Sequence, residues 1–80
     1  MPRHVLLIAG GSRGIGASTA RLAGERGYDV AINYVRNAKA AAEVAEAVKK
    51  SGGKAVTLQG DMAKEEDILR VFGETTRTLG

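Results

Sequence analysis

The sequence predicts an α/β fold built on a parallel sheet, and three observations predict it. Short apolar runs alternate with stretches of helical periodicity, three times over. Glycines fall where a strand gives way to a helix or where a helix should stop. The first apolar run, Val5–Ile8, enters a turn holding Gly10, Gly11, Gly14 and Gly16. Strand–helix alternation of this kind gives βαβαβα with parallel strands and right-handed crossovers. The expected strand order is 3-2-1, the N-terminal half of a doubly wound sheet.

The elements follow in order. The first strand is His4–Ala9, with the continuous apolar composition of a strand buried on both faces. The first helix runs over Gly14–Arg26 and is expected to bury Ile15, Thr19, Leu22 and Ala23; Gly27 stops it. The second strand is Asp29–Tyr34, centred on Val30, Ala31 and Ile32. The second helix is Ala38–Ser51, capped by Asn37, with Ala40, Val44, Ala47 and Val48 as its buried stripe and Gly52-Gly53 as its stop. The third strand is Lys54–Gln59. The third helix, Lys64–Leu79, carries Ile68, Val71, Phe72, Thr75, Thr76 and Leu79 at helical spacing. Glu65, Glu66 and Asp67 favour its N-terminal dipole.

Eighty residues allow one small domain at most. A chain this size buries roughly 60–65% of its unfolded surface, which is marginal without help. With no cysteine there is no disulfide and no thiolate metal site. No apolar run approaches the ~18 residues of a membrane span, and the N-terminus lacks a signal-peptide pattern, so the expectation is a cytoplasmic protein. The net charge of +3 is spread from Arg3 to Arg77 without aromatic interleaving, which argues against nucleic acid as a partner. The first strand, strongly apolar, would stand at an open edge of this half-sheet, and such edges invite another strand.

The glycine turn carries the chemistry. Its glycines allow positive φ and close approach, and a helix opening from it points free N–H groups and a partial positive charge at its occupant. That suits a phosphate or pyrophosphate. A plain tight turn is the alternative. The G-x-G-x-x-G fingerprint fits only in part, because Thr19 follows Gly14-Ile15-Gly16-Ala17-Ser18 where a glycine should. The phosphate loop G-x-x-x-x-G-K-[ST] fails at Ala17, which stands in place of the lysine that reaches the terminal phosphates. What does fit is Gly10, Gly14 and Gly16 at the spacing G-x-x-x-G-x-G.

In Ala9-Gly10-Gly11-Ser12-Arg13-Gly14-Ile15-Gly16 this chain resembles the short-chain dehydrogenase/reductase family, whose pattern is T-G-x-x-x-G-I-G. Ala9 replaces the threonine and removes one hydroxyl. Asn33-Tyr34-Val35-Arg36 and Gly60-Asp61-Met62, at the ends of the second and third strands, extend the resemblance over all eighty residues. The resemblance implies a partial NAD(P)-binding Rossmann domain over residues 1–80. Gly10, Ser12, Arg13, Gly14, Ile15 and Gly16 would bind the cofactor at the turn, with Tyr34 and Arg36 at the second strand and Asp61 and Met62 at the third. Asp61 would bond the adenine amino group, or alternatively cap the turn ahead of the third helix. Ser12 would contact phosphate or solvent.

The cofactor expected is NADP rather than NAD. An NAD site places a carboxylate at the end of the second strand, and no acid occurs between Asp29 and Glu43. Arg36 falls close to the expected 2′ position and Arg13 faces it from the turn. Hydrogen bonds to charged groups contribute about 1.5–3 kcal/mol each, so two arginines would favour NADP roughly 10²-fold. Arg36 as an ordinary exposed arginine is the alternative. The family's catalytic tyrosine and lysine, four apart, are not in this chain: Tyr28 precedes Ile32 and Tyr34 precedes Ala38. No catalytic residue and no metal site is assigned. The resemblance implies an oxidoreductase moving hydride between a nicotinamide and a carbonyl or alcohol, homo-oligomeric, whose catalytic part lies outside this chain. The competing expectation is a non-catalytic nucleotide-binding or assembly fragment that works only with a partner chain.

Overall fold

A computed structural model describes residues 4–10 and 14–80. The elements are β1 (Val5–Ile8), α1 (Gly14–Glu25), β2 (Asp29–Tyr34), α2 (Ala38–Lys50), β3 (Ala55–Gln59) and α3 (Glu65–Leu79). Both strand pairs are parallel and the sheet runs β1-β2-β3, with β2 in the middle. Val5 pairs with Asp29 and Ile8 with Ile32; Val30 pairs with Ala55 and Tyr34 with Gln59. β2 keeps the bounds expected from sequence, whereas β1 and β3 are shorter. His4, Ala9 and Lys54 fall outside the paired register, although His4 C=O still accepts Asp29 N–H and Lys54 C=O accepts Val30 N–H, each at 2.9 Å.

The core lies between the sheet and the α1–α2 pair. Val30 and Ile32 on β2, Ala55 on β3, Ala17, Ala20 and Ala23 on α1, and Ala41, Val44, Ala45 and Val48 on α2 form one buried cluster. Leu6 and Ile8 of β1 pack on it while remaining half-buried, as edge-strand residues do. Ala31 alternates to the opposite face, where α3 packs against β3 and β2 and buries Val71 and Thr75.

The helix faces differ from those expected. On α1 the inward face is Ala17, Ala20, Ala23 and Gly24, not Ile15, Thr19 and Leu22. Ile15 is 87% exposed and Leu22 50%. The cause is close packing of α1 on α2: a Cβ built on Gly24 would lie 3.1 Å from Val48 Cα. At that separation only small side chains fit between the axes. On α2 the stripe is Ala41, Val44, Ala45 and Val48, so Ala41 and Ala45 replace Ala40 and Ala47, which are half-buried. On α3 Val71 and Thr75 are buried, but Phe72 is 54% exposed and Thr76 is exposed. α3 buries Val71 and Thr75 and half-buries Ile68 and Leu79, leaving Leu69 and Phe72 on an uncovered flank.

The stop and start signals act as read. Tyr28 N–H donates to Ala23 C=O (3.0 Å) and Gly27 N–H to Gly24 C=O (3.1 Å), closing α1 in a Schellman motif with Gly27 at φ +89°. Gly53→Val48 and Gly52→Lys49 bonds repeat it after α2. Asn37 Oδ1 accepts Ala40 N–H at 3.0 Å, a side-chain N-cap. Asn37→Ala is expected to lower stability by about 1 kcal/mol, read as an earlier urea midpoint with an unchanged slope. At the amino end of the sheet, buried Asp29 accepts Lys54 N–H at 2.9 Å, fixing β2 against the entry to β3. No helix among the described residues is long and apolar enough to cross a membrane.

Candidate functional site

The segments leaving β1, β2 and β3 gather at one edge, the carboxyl ends of the parallel strands, where open α/β sheets bind ligands. From β1 the chain enters the turn at Gly10 with φ +67°, and α1 begins at Gly14 with φ +65°. Both values lie in the region that only glycine adopts without cost. Cβ atoms built on Gly10 and Gly14 meet no described heavy atom within 4 Å, so among the described residues nothing fills the space over either position. The first turn of α1 carries no acidic residue. Its N-terminal N–H groups and partial positive charge therefore face that space without a competing carboxylate. Gly16 is half-buried and Ile15 projects outward beside the helix start. Ser12 and Arg13, both expected site residues, lie outside the described residues, as does Gly11.

At the end of β2, Tyr34 is half-buried against the core cluster and Arg36 is exposed. Ala38 N–H bonds the Arg36 carbonyl at 3.2 Å, so Arg36 sits in the bend that leads into α2. The β2–β3 ladder continues past the strands: Gly60 N–H donates to Tyr34 C=O at 3.0 Å and Gln59 Nε2 to Val35 C=O at 3.1 Å. Arg70 of α3 bonds Gln59 C=O at 2.7 Å.

Asp61 follows buried Gly60, where a Cβ would fall 3.0 Å from Val71 Cγ2 and 3.1 Å from Arg70 Nη2, so a side chain there would press on α3. Asp61 Oδ1 accepts Ala63 N–H at 2.9 Å and its carbonyl accepts Lys64 N–H at 2.9 Å. Its own N–H donates to Asp67 Oδ2 at 2.8 Å. One carboxylate oxygen thus caps the local turn, which was one of the two roles the sequence left open. Met62, next to it, is half-buried.

The residue that sequence reasoning missed is Asn33. It is 1% exposed. Its Oδ1 accepts Gly10 N–H at 3.3 Å, and its Nδ2 donates to Leu58 C=O at 3.2 Å and Gly60 C=O at 3.0 Å. One amide on the middle strand therefore reaches the turn after β1 and the loop after β3. The signal was present: a lone amide ending an apolar buried strand must find partners.

These features define a Rossmann-like parallel α/β sheet with a glycine turn at its first crossover. The chain belongs to the short chain dehydrogenase family, whose profile matches residues 4–80. It is 46% identical over 68 residues to YgfF, an uncharacterised oxidoreductase of Escherichia coli K12, covering 85% of this chain and 28% of that protein. It is 38% identical over 76 residues to the trihydroxynaphthalene reductase of Colletotrichum orbiculare, covering 95% and 27%. Among solved structures, a dehydrogenase/reductase from Sinorhizobium meliloti 1021 superposes with a TM-score of 0.93 at 35% identity, covering 100% of this chain and 32% of that one. A Burkholderia cenocepacia protein classed as a dehydrogenase, solved with bound NADP, gives 0.91 at 33% identity, covering 98% and 31%. The chain thus spans less than a third of the length of these four relatives.

Proposed function

We propose that this chain is the cofactor-binding N-terminal part of an NADP-preferring oxidoreductase. That enzyme would move hydride between the nicotinamide and a small carbonyl or alcohol substrate. The observation that carries the reading is the pair Gly10 and Gly14, both at positive φ, with no described heavy atom over either and α1 opening from Gly14. A pyrophosphate fits there because it needs backbone N–H donors and close approach, not side chains. The NADP bound by the Burkholderia relative supports the same class of ligand.

On this reading Gly10, Ser12, Arg13, Gly14, Ile15 and Gly16 hold the pyrophosphate side. Tyr34 and Arg36 receive the adenosine ribose and its 2′-phosphate, and Asp61 and Met62 the adenine. When bound, the nicotinamide would donate hydride to a carbonyl or accept it from an alcohol; this chain's residues would bind and orient the dinucleotide. The strands are the 3-2-1 half of a doubly wound sheet that continues beyond β1. The residues that move protons lie in the continuation, and the complete enzyme is cytoplasmic and homo-oligomeric.

Titration with both reduced cofactors tests the preference. NADPH is expected to bind at least about tenfold tighter than NADH, and Arg36→Ala to remove most of that difference while leaving NADH nearly unchanged. Equal affinities, or tighter NADH, overturn it. A second reading, a non-catalytic fragment that works only with a partner chain, draws on β1 standing at the sheet edge and on the exposed Ile15, Leu22, Leu69 and Phe72. Mass spectrometry of the natural protein together with NADPH oxidation over a panel of carbonyls separates the two: a longer or two-part species with turnover supports the oxidoreductase, and an 80-residue species that binds without turnover supports the fragment.

A further inference from the structure

We infer that Asn33 is a positioning residue for dinucleotide binding: its amide fixes the glycine turn at a set spacing from the Gly60–Met62 loop. The inference rests on the cofactor reading above and names a residue which that reading does not use. The β1–β2 register ends at Ile8 and Ile32, so it stops short of Gly10. Among the described residues, the bond from Gly10 N–H to Asn33 Oδ1 ties the entry of the turn to the middle strand. The loop after β3 is held independently, by Gly60 N–H to Tyr34 C=O and by Asp61 N–H to Asp67.

The site needs one acceptor facing Gly10 N–H and donors facing Leu58 C=O and Gly60 C=O. A side-chain amide supplies both from one planar group. Aspartate would set an acceptor against two carbonyl oxygens, and leucine, of similar size, would supply nothing. Without the amide, Gly10 N–H loses its tie to β2, while the loop after β3 loses the bonds at Leu58 C=O and Gly60 C=O but keeps those from Gly60 N–H to Tyr34 and from Asp61 N–H to Asp67. A ligand that touches both ends gains from fixed spacing, because its second contact is intramolecular. A ligand that touches one end gains nothing from it.

The test measures NADPH and adenosine binding to the wild-type protein, Asn33→Leu and Asn33→Thr, with circular dichroism showing each variant folded. Adenosine reaches only the adenine end. In both variants NADPH affinity is expected to fall about tenfold or more while adenosine affinity stays within about twofold. Should the leucine variant fail to fold, Asn33→Thr carries the test, since threonine suits a strand and supplies one hydroxyl in place of the amide. Equal losses for both ligands would reduce Asn33 to general structural support and overturn the inference, as would unchanged NADPH binding. If wild-type protein binds no NADPH, the cofactor reading falls and this inference with it. Wild-type binding with indifferent variants removes the inference alone.

Discussion

Ile32→Ala is expected to lower the stability of this chain by about 2–5 kcal/mol. Ile32 is fully buried in the middle strand, paired with Ile8 on one side and Thr57 on the other. Its side chain belongs to the cluster under α1 and α2. Much of that cluster is alanine and valine, so isoleucine supplies a large part of its volume, and small neighbours leave little to collapse into the gap. At about 0.05–0.15 kcal/mol per residue, a chain of this length has roughly 4–12 kcal/mol in all. The substitution removes a large share of that and unfolds the protein outright at the lower end. Urea denaturation followed by circular dichroism reads the loss as a fall in midpoint at constant slope. Ile32→Val, which deletes one methyl, is the graded control at about 0.5–1.5 kcal/mol. A midpoint unmoved by Ile32→Ala would contradict the packing described here.

Local chemistry made much of the fold legible. Asn37 caps α2 because a short polar side chain can reach a free N–H of the first turn. Gly27 and Gly52 end their helices because each sits at positive φ. β2 could be bounded because its centre, Val30–Ile32, is apolar and the strand lies between a helix stop and a capping asparagine. The buried side of α1 could not be read. Residues 15, 19 and 22 satisfy helical periodicity, but so do 17, 20 and 24 on nearly the opposite face. The choice between them depends on the distance between helices, which no pattern in α1 alone encodes. It is set by Gly24 meeting Val48, two residues far apart in sequence.

The site divides in the same way. The glycine spacing and the strand ends were visible as motifs, because the turn needs glycine for local backbone reasons. Asn33 was quoted only as part of a motif, since its bonds run to residues 23 and 27 positions away. Asp61 shows the converse. Its sequence position left open a ligand contact or a turn cap, and the fold employs its carboxylate to cap the turn before α3.

Gly24→Val is expected to cost more than the helix propensities imply, and to do so through Val48. The Cβ alone would stand 3.1 Å from both Val48 Cα and Cγ1, closer than ordinary contact. Cα belongs to the backbone of α2, so no rotamer change can relieve that approach; the helices must separate. In Gly24→Ala the gain of about 0.8–1 kcal/mol in helix propensity offsets part of the strain. In Gly24→Val that gain is smaller, and two further methyls enter the same gap at about 1–3 kcal/mol of overpacking. The expected order of thermal midpoints is therefore wild type at or above Gly24→Ala, and both well above Gly24→Val. Val48→Ala supplies the decisive comparison. Alone it destabilises by opening a cavity; combined with Gly24→Val it vacates the space that Cγ1 occupied, so the double variant should be more stable than the two single losses predict. Additive losses would mean that α1 and α2 do not meet here. Because α1 begins at the glycine turn, a helix displaced by Gly24→Val also carries Gly14 away from the strand ends. NADPH binding should then weaken in protein that remains folded, and Val48→Ala should restore part of it.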